Sequence, residues 1–183
     1  MSGLRVTTAQ TEELEPSQIV ELTALCEASF GESFTSAWER VGPGLHVMGE
    51  LDGRIVAQAL IIDRRLYLGH ETDLALDVGY VEHVATLPQF QGQGHGAATM
   101  NRVGEIIGEQ YALGALATGR NGFYGRLGWE TWGGPTSVRM PDGDRMRSPT
   151  QDGHVMILRT PRTSAELAIN GPICIDWRTG DSW

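Results

Sequence analysis

Between Tyr80 and Gly96 the chain reads Y-V-E-H-V-A-T-L-P-Q-F-Q-G-Q-G-H-G. An apolar strand carrying one carboxylate, Glu82, runs into a glycine-rich turn, and a helical pattern follows at once. Gly92, Gly94 and Gly96 leave backbone N–H groups uncovered. The helix that starts there adds its own unpaired N–H groups and the positive end of its dipole. Together these make a pocket for phosphate that needs no lysine. Two other nucleotide loops fail on the residues. A P-loop needs Gly-Lys-Ser/Thr where His95-Gly96-Ala97 stand. A G-x-G-x-x-G turn does not match glycines that alternate, and about 20 residues on Glu109 and Gln110 lie in a helical pattern rather than at a strand end. On these six residues alone a plain surface turn between strand and helix stays open.

The chain has 183 residues, 40% hydrophobic and 20% charged, as expected of one globular domain over 1–183. No apolar run approaches a membrane span, and Met1-Ser2-Gly3-Leu4-Arg5 opens no signal peptide, so a cytoplasmic protein is expected. Cys26 and Cys174 lack CxxC spacing and are expected as buried free thiols, with no metal site. A formal charge of −9 argues against nucleic acid. It does not argue against a phosphate ligand, which backbone dipoles attract whatever the net charge. The surplus carboxylates either draw in a cationic second substrate or simply keep the protein soluble.

Periodicity predicts a strand at 4–9 and a helix from Pro16 with Ile19, Leu22, Cys26 and Phe30 on one face. A short helix at 36–40 stops at Gly42-Pro43-Gly44. Strands at 45–51 and 54–68 flank Asp52-Gly53, a strong hairpin signal. Gly69-His70 predicts a turn, and a strand follows at 77–86. A helix at 94–110 buries Met100, Val103, Ile106 and Ile107. Then come a strand at 111–117, a short helix at 121–127, strands at 136–140 and 155–158, and a polar loop at 143–153. The order implies an α/β fold: a mixed, mostly antiparallel sheet with one splayed central parallel pair, flanked by helices.

Gln91-x-x-Gly94-x-Gly96 resembles the pyrophosphate loop of the GNAT acetyltransferases, which bind acetyl-coenzyme A. On that resemblance Gln91, Gly92, Gln93, Gly94, His95 and Gly96 hold the cofactor. Val84, Ala85 and Thr86 then offer a strand edge to its pantetheine arm, unless they are only paired in a sheet. Acetyl transfer to an amine needs an acceptor for the amine proton and a donor for the leaving thiolate. Glu82, in an apolar strand, suits a base acting through water or an anchor for an ammonium, because burial would raise its pKa. It could equally be a solvated residue on an exposed face. His83 is expected on the opposite face by alternation. Tyr124, in N-G-F-Y-G-R-L-G-W, suits a general acid, against the alternative of an aromatic that packs the core.

Motifs spread along most of the chain resemble more narrowly the aminoglycoside 2′-N-acetyltransferases. They are G-L-H-V around His46, G-Y-V-E at 79–82, the loop at 91–96, Y-A-L-G-A-L at 111–116, L-G-W at 127–129, G-P-T-S at 134–137 and D-W-R-x-G-D-x-W at 176–183. The resemblance implies direct acetyl transfer to the 2′-amine of an antibiotic sugar, in a homodimer. It implies that Glu82 and the Trp183 carboxylate contact the drug and are candidates for deprotonating it, and that Tyr124 is the acid. It also puts Glu32, Ser33, His83, Ala117, Asp152 and Asp181 around the substrate. Where the family has G-D-F and a second aspartate before a tryptophan, this chain has Glu32-Ser33-Phe34 and Ala37-Trp38. An acidic pair is reduced to Gln151-Asp152, and a small hydroxyl residue is Ala117. Each missing carboxylate removes a partner for an ammonium, so a less cationic aminocyclitol sugar such as kasugamycin is expected. The rival expectations are a GNAT enzyme for another small amine and a binding module that senses acetyl-coenzyme A without turnover.

Overall fold

The computed structural model describes residues 3–69 and 74–183. Its elements are β1 (Arg5–Gln10), α1 (Pro16–Phe30), α2 (Ala37–Val41), β2 (Leu45–Leu51), β3 (Arg54–Leu68), β4 (Leu74–Thr86), α3 (His95–Gln110), β5 (Leu113–Ala117), α4 (Asn121–Gly125), β6 (Glu130–Thr131), β7 (Thr136–Arg139), β8 (Arg145–Arg147), β9 (Val155–Arg159) and β10 (Ile173–Asp176). The strands follow the order β6-β9-β5-β4-β3-β10-β7-β8, with β2 beside β3 and β1 beside β2. This is the expected α/β architecture. The expected parallel pair is β4 with β5, joined through Gly79↔Gly114 and Tyr80↔Ala115. A second parallel pair, β7 with β10, was not foreseen, because it joins segments far apart in the chain. Two compact units can be described, Met1–Ile62 with Val81–Glu105 and Asp63–Tyr80 with Ile106–Trp183.

In the first unit β2 and β3 form the hairpin that Asp52-Gly53 announced. Leu51 pairs with Arg54 across two residues at φ 50° and 78°. Two left-handed residues in a two-residue loop match the right-handed twist of the strands. Helix α1 starts at Pro16, where a missing N–H costs nothing, and Glu15 and Gln18 cap each other's backbone. It ends at Gly31, whose left-handed backbone (φ 74°) lets its N–H reach the Glu27 carbonyl. The buried face of α1 is Leu22, Leu25 and Cys26. Ile19 and Phe30, expected on that face, are 41% and 46% exposed.

In the second unit close packing selects two glycines. A Cβ at Gly79 would lie 2.9 Å from the Tyr111 ring, and one at Gly114 would lie 3.1 Å from Ile107. The end of α3 therefore rests directly on the paired backbone of β4 and β5. The expected polar loop at 143–153 instead contains β8 and a 3-10 turn, Pro149–Gln151. Strand β8 pairs antiparallel with β7, from Ser137↔Arg147 to Arg139↔Arg145. β4 begins at Leu74, three residues earlier than expected. The predicted turn at Gly69-His70 lies partly outside the described residues.

Candidate active site

In the first unit β4 carries Glu82 and His83 into the glycine loop. Glu82 is half-buried. His83 has φ 51°, a left-handed backbone that costs a non-glycine residue of order 1–3 kcal/mol and breaks the side-chain alternation. Alternation therefore does not place the His83 ring. It stands edge-on to Phe34 (centroids 4.6 Å apart) and to Trp38 (5.1 Å). Its carbonyl accepts a 2.7 Å hydrogen bond from Gln58 Nε2. The Trp38 ring also meets His46 at 5.4 Å, and burial holds the His46 pKa below its ordinary value. Glu32 and Ser33 are exposed, just past the Gly31 cap.

Beyond Glu82 the strand edge is partly used by the chain itself. The Thr86 carbonyl accepts from Ser29 Oγ and from Gln91 Nε2, both at 3.0 Å. Gln91 thus ties the loop back to the strand end, and Gln93 Nε2 reaches the Gln89 carbonyl at 2.9 Å. Val84 is half-buried and Ala85 buried. Gly92 and Gly94 have φ 74° and 87°, and a Cβ at either would meet nothing within 4 Å. Backbone conformation rather than crowding requires glycine there. Gly96, by contrast, lies in the first turn of α3 with no left-handed backbone.

Ala98 gives its N–H to Gly94 O at 2.9 Å, the first helical bond of α3. The N–H groups from Gly92 to Ala97 find no acceptor among the described residues. His95 sits at this mouth with its ring against Phe90 (6.1 Å), and its buried Nε2 has no partner among the described residues. Six backbone donors, a helix dipole and an orphaned ring nitrogen make a set that fits a diphosphate.

In the second unit Tyr124 lies in α4, 7% exposed, against Phe123 (4.9 Å) and Trp129 (6.2 Å). Burial pushes the phenol pKa up to about 12, with Arg120 pulling weakly the other way. The hydroxyl therefore stays protonated at any physiological pH, as a proton donor must. Ala117 closes β5 opposite Val155.

Asp181, Ser182 and Trp183 are docked rather than frayed. Trp183 is 5% exposed, and its indole Nε1 donates to Ser148 Oγ at 3.0 Å. Its N–H reaches Asp181 Oδ1 at 3.2 Å. Ser148 in turn bonds Thr136 Oγ1 at 3.1 Å. Nothing in the sequence pointed to Ser148, which sits in a polar stretch whose partners come from remote segments.

Asp152 is already engaged. Its Oδ1 accepts from the Thr136 N–H and hydroxyl, both at 2.8 Å, and its Oδ2 pairs with Arg147 at 2.7 Å. Arg147, then Thr136, hold this carboxyl far below the usual carboxylate range. The unfolded chain takes up that proton first as pH falls, so the pair stabilises the fold above about pH 4 and less below it. The gap in urea midpoint between the wild type and Asp152→Asn should therefore shrink as pH is lowered through that range. A gap that stays constant from pH 7 to pH 3 would remove Asp152 from this role.

A family profile described as "Acetyltransferase (GNAT) domain" matches residues 10–132. An aminoglycoside 2′-N-acetyltransferase of Mycolicibacterium fortuitum is 36% identical over 160 residues, covering 86% of this chain and 80% of that protein. Among solved structures, the GNAT family N-acetyltransferase YhbS of Escherichia coli, in complex with CoA, aligns over 96% of this chain and 92% of its own. Its TM-score is 0.60 at 17% identity. A GCN5-related N-acetyltransferase from Kribbella flavida aligns over 73% of this chain with TM-score 0.57 and 21% identity. The chain spans 35% of the length of that protein. At such identities the two structures speak to the fold alone.

Proposed function

The chain belongs to the GNAT acetyltransferases, in the family of the aminoglycoside 2′-N-acetyltransferases, and on that premise we propose that it acetylates the 2′-amine of an aminoglycoside or related aminocyclitol antibiotic, with acetyl-coenzyme A as donor. The observation that carries this reading is the run of unclaimed N–H groups from Gly92 to Ala97, which suits the donor's diphosphate. Acetyl-coenzyme A, when bound, supplies an acyl group activated on sulfur. Gln91 and Gln93 brace the loop that holds it, His95 adds a ring nitrogen at its mouth, and the main chain of Val84, Ala85 and Thr86 offers an edge to the pantetheine arm.

Glu82 takes the proton that the ammonium must lose, directly or through water, before nitrogen can bond to the acyl carbon. Tyr124 gives a proton to sulfur as the carbon–sulfur bond breaks. The nitrogen loses a second proton as the amide forms, which restores the Tyr124 phenol, and Glu82 gives the first proton to water, so each turnover yields amide, thiol and one free proton. Trp183 and Asp181 are assigned to the sugar side, with Glu32, Ser33, His83 and Ala117. The family resemblance further suggests a homodimer and a task in antibiotic resistance.

The substrate is proposed to carry few ammonium groups. The resemblance implies polar side chains where this chain has Ala37 and Ala117, and the Asp152 charge is compensated by Arg147. A partly buried charged hydrogen bond is worth about 1.5–3 kcal/mol, so losing two or three disfavours a polycation strongly. Thiol release from acetyl-coenzyme A should be faster with kasugamycin than with gentamicin or kanamycin, with the acetyl found on the 2′-nitrogen by NMR. Faster turnover of the polyamines would overturn the preference. Calorimetric binding of acetyl-coenzyme A without thiol release on any amine would overturn the enzyme.

A further inference from the structure

We propose that Arg64 is a positioning residue, the clamp that holds residues 176–183 in the conformation that buries Trp183. It rests on the reading above, in which Trp183 faces the amine. Arg64 lies on β3, on the same face as Leu66 and Leu68, whose backbone pairs with β10 through Leu68↔Ile173 and Leu66↔Ile175. Its Nη2 donates to the Asp176 carbonyl at 2.7 Å and to the Ser182 carbonyl at 3.0 Å. One guanidinium nitrogen thus gathers two carbonyls six residues apart and closes the segment between them into a loop. The guanidinium lies over the buried Tyr80 ring, 5.5 Å from its centroid, which fixes its plane.

Two bonds of Arg178 shape the segment from within. Arg178 Nε donates to the Asp181 carbonyl at 2.5 Å, and the Arg178 N–H to Ser182 Oγ at 3.3 Å. The start of the segment is tied to the rest of the unit by Tyr67, whose hydroxyl donates to Asp176 Oδ2 at 3.1 Å, and by the Trp177 N–H, which donates to the Arg139 carbonyl at 2.9 Å. Its end, Ser182 and Trp183, is tied by Arg64 and by the indole bond to Ser148. The Ser148 bond fixes the ring, while the Arg64 bond fixes the backbone one residue before it. A lysine could place a charge here but could not lie flat on Tyr80 with its donors held in a fixed plane, so charge alone should restore little.

The test uses the whole protein with Arg64→Gln and the milder Arg64→Lys, and reads two things. The first is hydrogen exchange of the amides of residues 178–183. The second is KM for the acetylated amine, beside the calorimetric Kd of acetyl-coenzyme A. The expected result is exchange about 10–100-fold faster in that segment, as for loss of hydrogen bonds to a charged donor. With it the amine KM should rise about tenfold, acetyl-coenzyme A affinity should hold, and Arg64→Lys should recover only part. Unchanged exchange in both variants would overturn the clamp while leaving the role of Trp183 standing. Faster exchange with an unchanged amine KM would overturn the positioning role together with the placement of Trp183 on the sugar side.

Discussion

Tyr124→Phe should slow acetyl transfer by about 10²–10⁴-fold while leaving the affinity for acetyl-coenzyme A unchanged. The substitution removes one oxygen from a side chain whose ring contacts to Phe123 and Trp129 stay in place. Folding should therefore survive it. The phenol makes no hydrogen bond among the described residues, so no structural partner is orphaned. Its pKa of about 12 sets a condition on the chemistry. A free thiol ionises near 8.5, and a proton passed from this phenol to a solvated thiolate would climb about 5 kcal/mol. The step becomes feasible when the leaving sulfur is itself dry, because burial raises a thiol as it raises a phenol. Two readouts follow. The Phe variant should lose part of the solvent isotope effect on kcat, and the wild type should show no alkaline loss from Tyr124 below about pH 11. Equal kcat in the two proteins would remove Tyr124 as the acid.

What the chain revealed in advance divides by the range of the physics involved. Asp52-Gly53 and the loop at 91–96 were legible because left-handed backbone at a glycine is a local demand, met within three or four residues. Helix α3 was legible because Met100, Val103, Ile106 and Ile107 recur at helical spacing, and all four are buried. Strand β8 was not. Arg145-Met146-Arg147 is exposed throughout and shows no alternation, so only its pairing with β7 makes it a strand. The left-handed backbone at His83 was hidden for the opposite reason: nothing about a histidine in V-E-H-V-A announces a break in a strand, and alternation presumes there is none. Asp152 shows a third kind of limit. Its type and position suggested an ammonium partner, but Arg147 and Thr136 reach the carboxylate first, and the Thr136 contact depends on how β7 meets the turn at Asp152.

Trp132→Ala should cost about 3–5 kcal/mol of stability, the range for deleting a large buried aromatic. Trp132 is 1% exposed, among the largest side chains the fold buries completely. Its indole Nε1 donates to the Gly171 carbonyl at 2.8 Å, and the N–H groups of Gly133 and Gly134 both turn to Ile169 O. The seam is tight enough that a Cβ on Gly134 would stand 1.8 Å from Gly171 O. This seam delivers the chain to β10, and β10 leads directly to the segment that Arg64 closes. Removing the indole therefore opens a cavity, orphans a carbonyl and loosens the approach to Trp183 in one change. Trp132→Phe keeps most of the volume but not the donor, so it should cost about 1 kcal/mol, the net worth of one hydrogen bond to a half-buried acceptor. Urea unfolding followed by far-ultraviolet circular dichroism measures both. A loss below about 1 kcal/mol in the alanine variant would mean that the seam collapses around the gap and that Trp132 does not organise it. If instead the two variants lose equal stability, the hydrogen bond to Gly171 rather than the packing of the ring carries the effect.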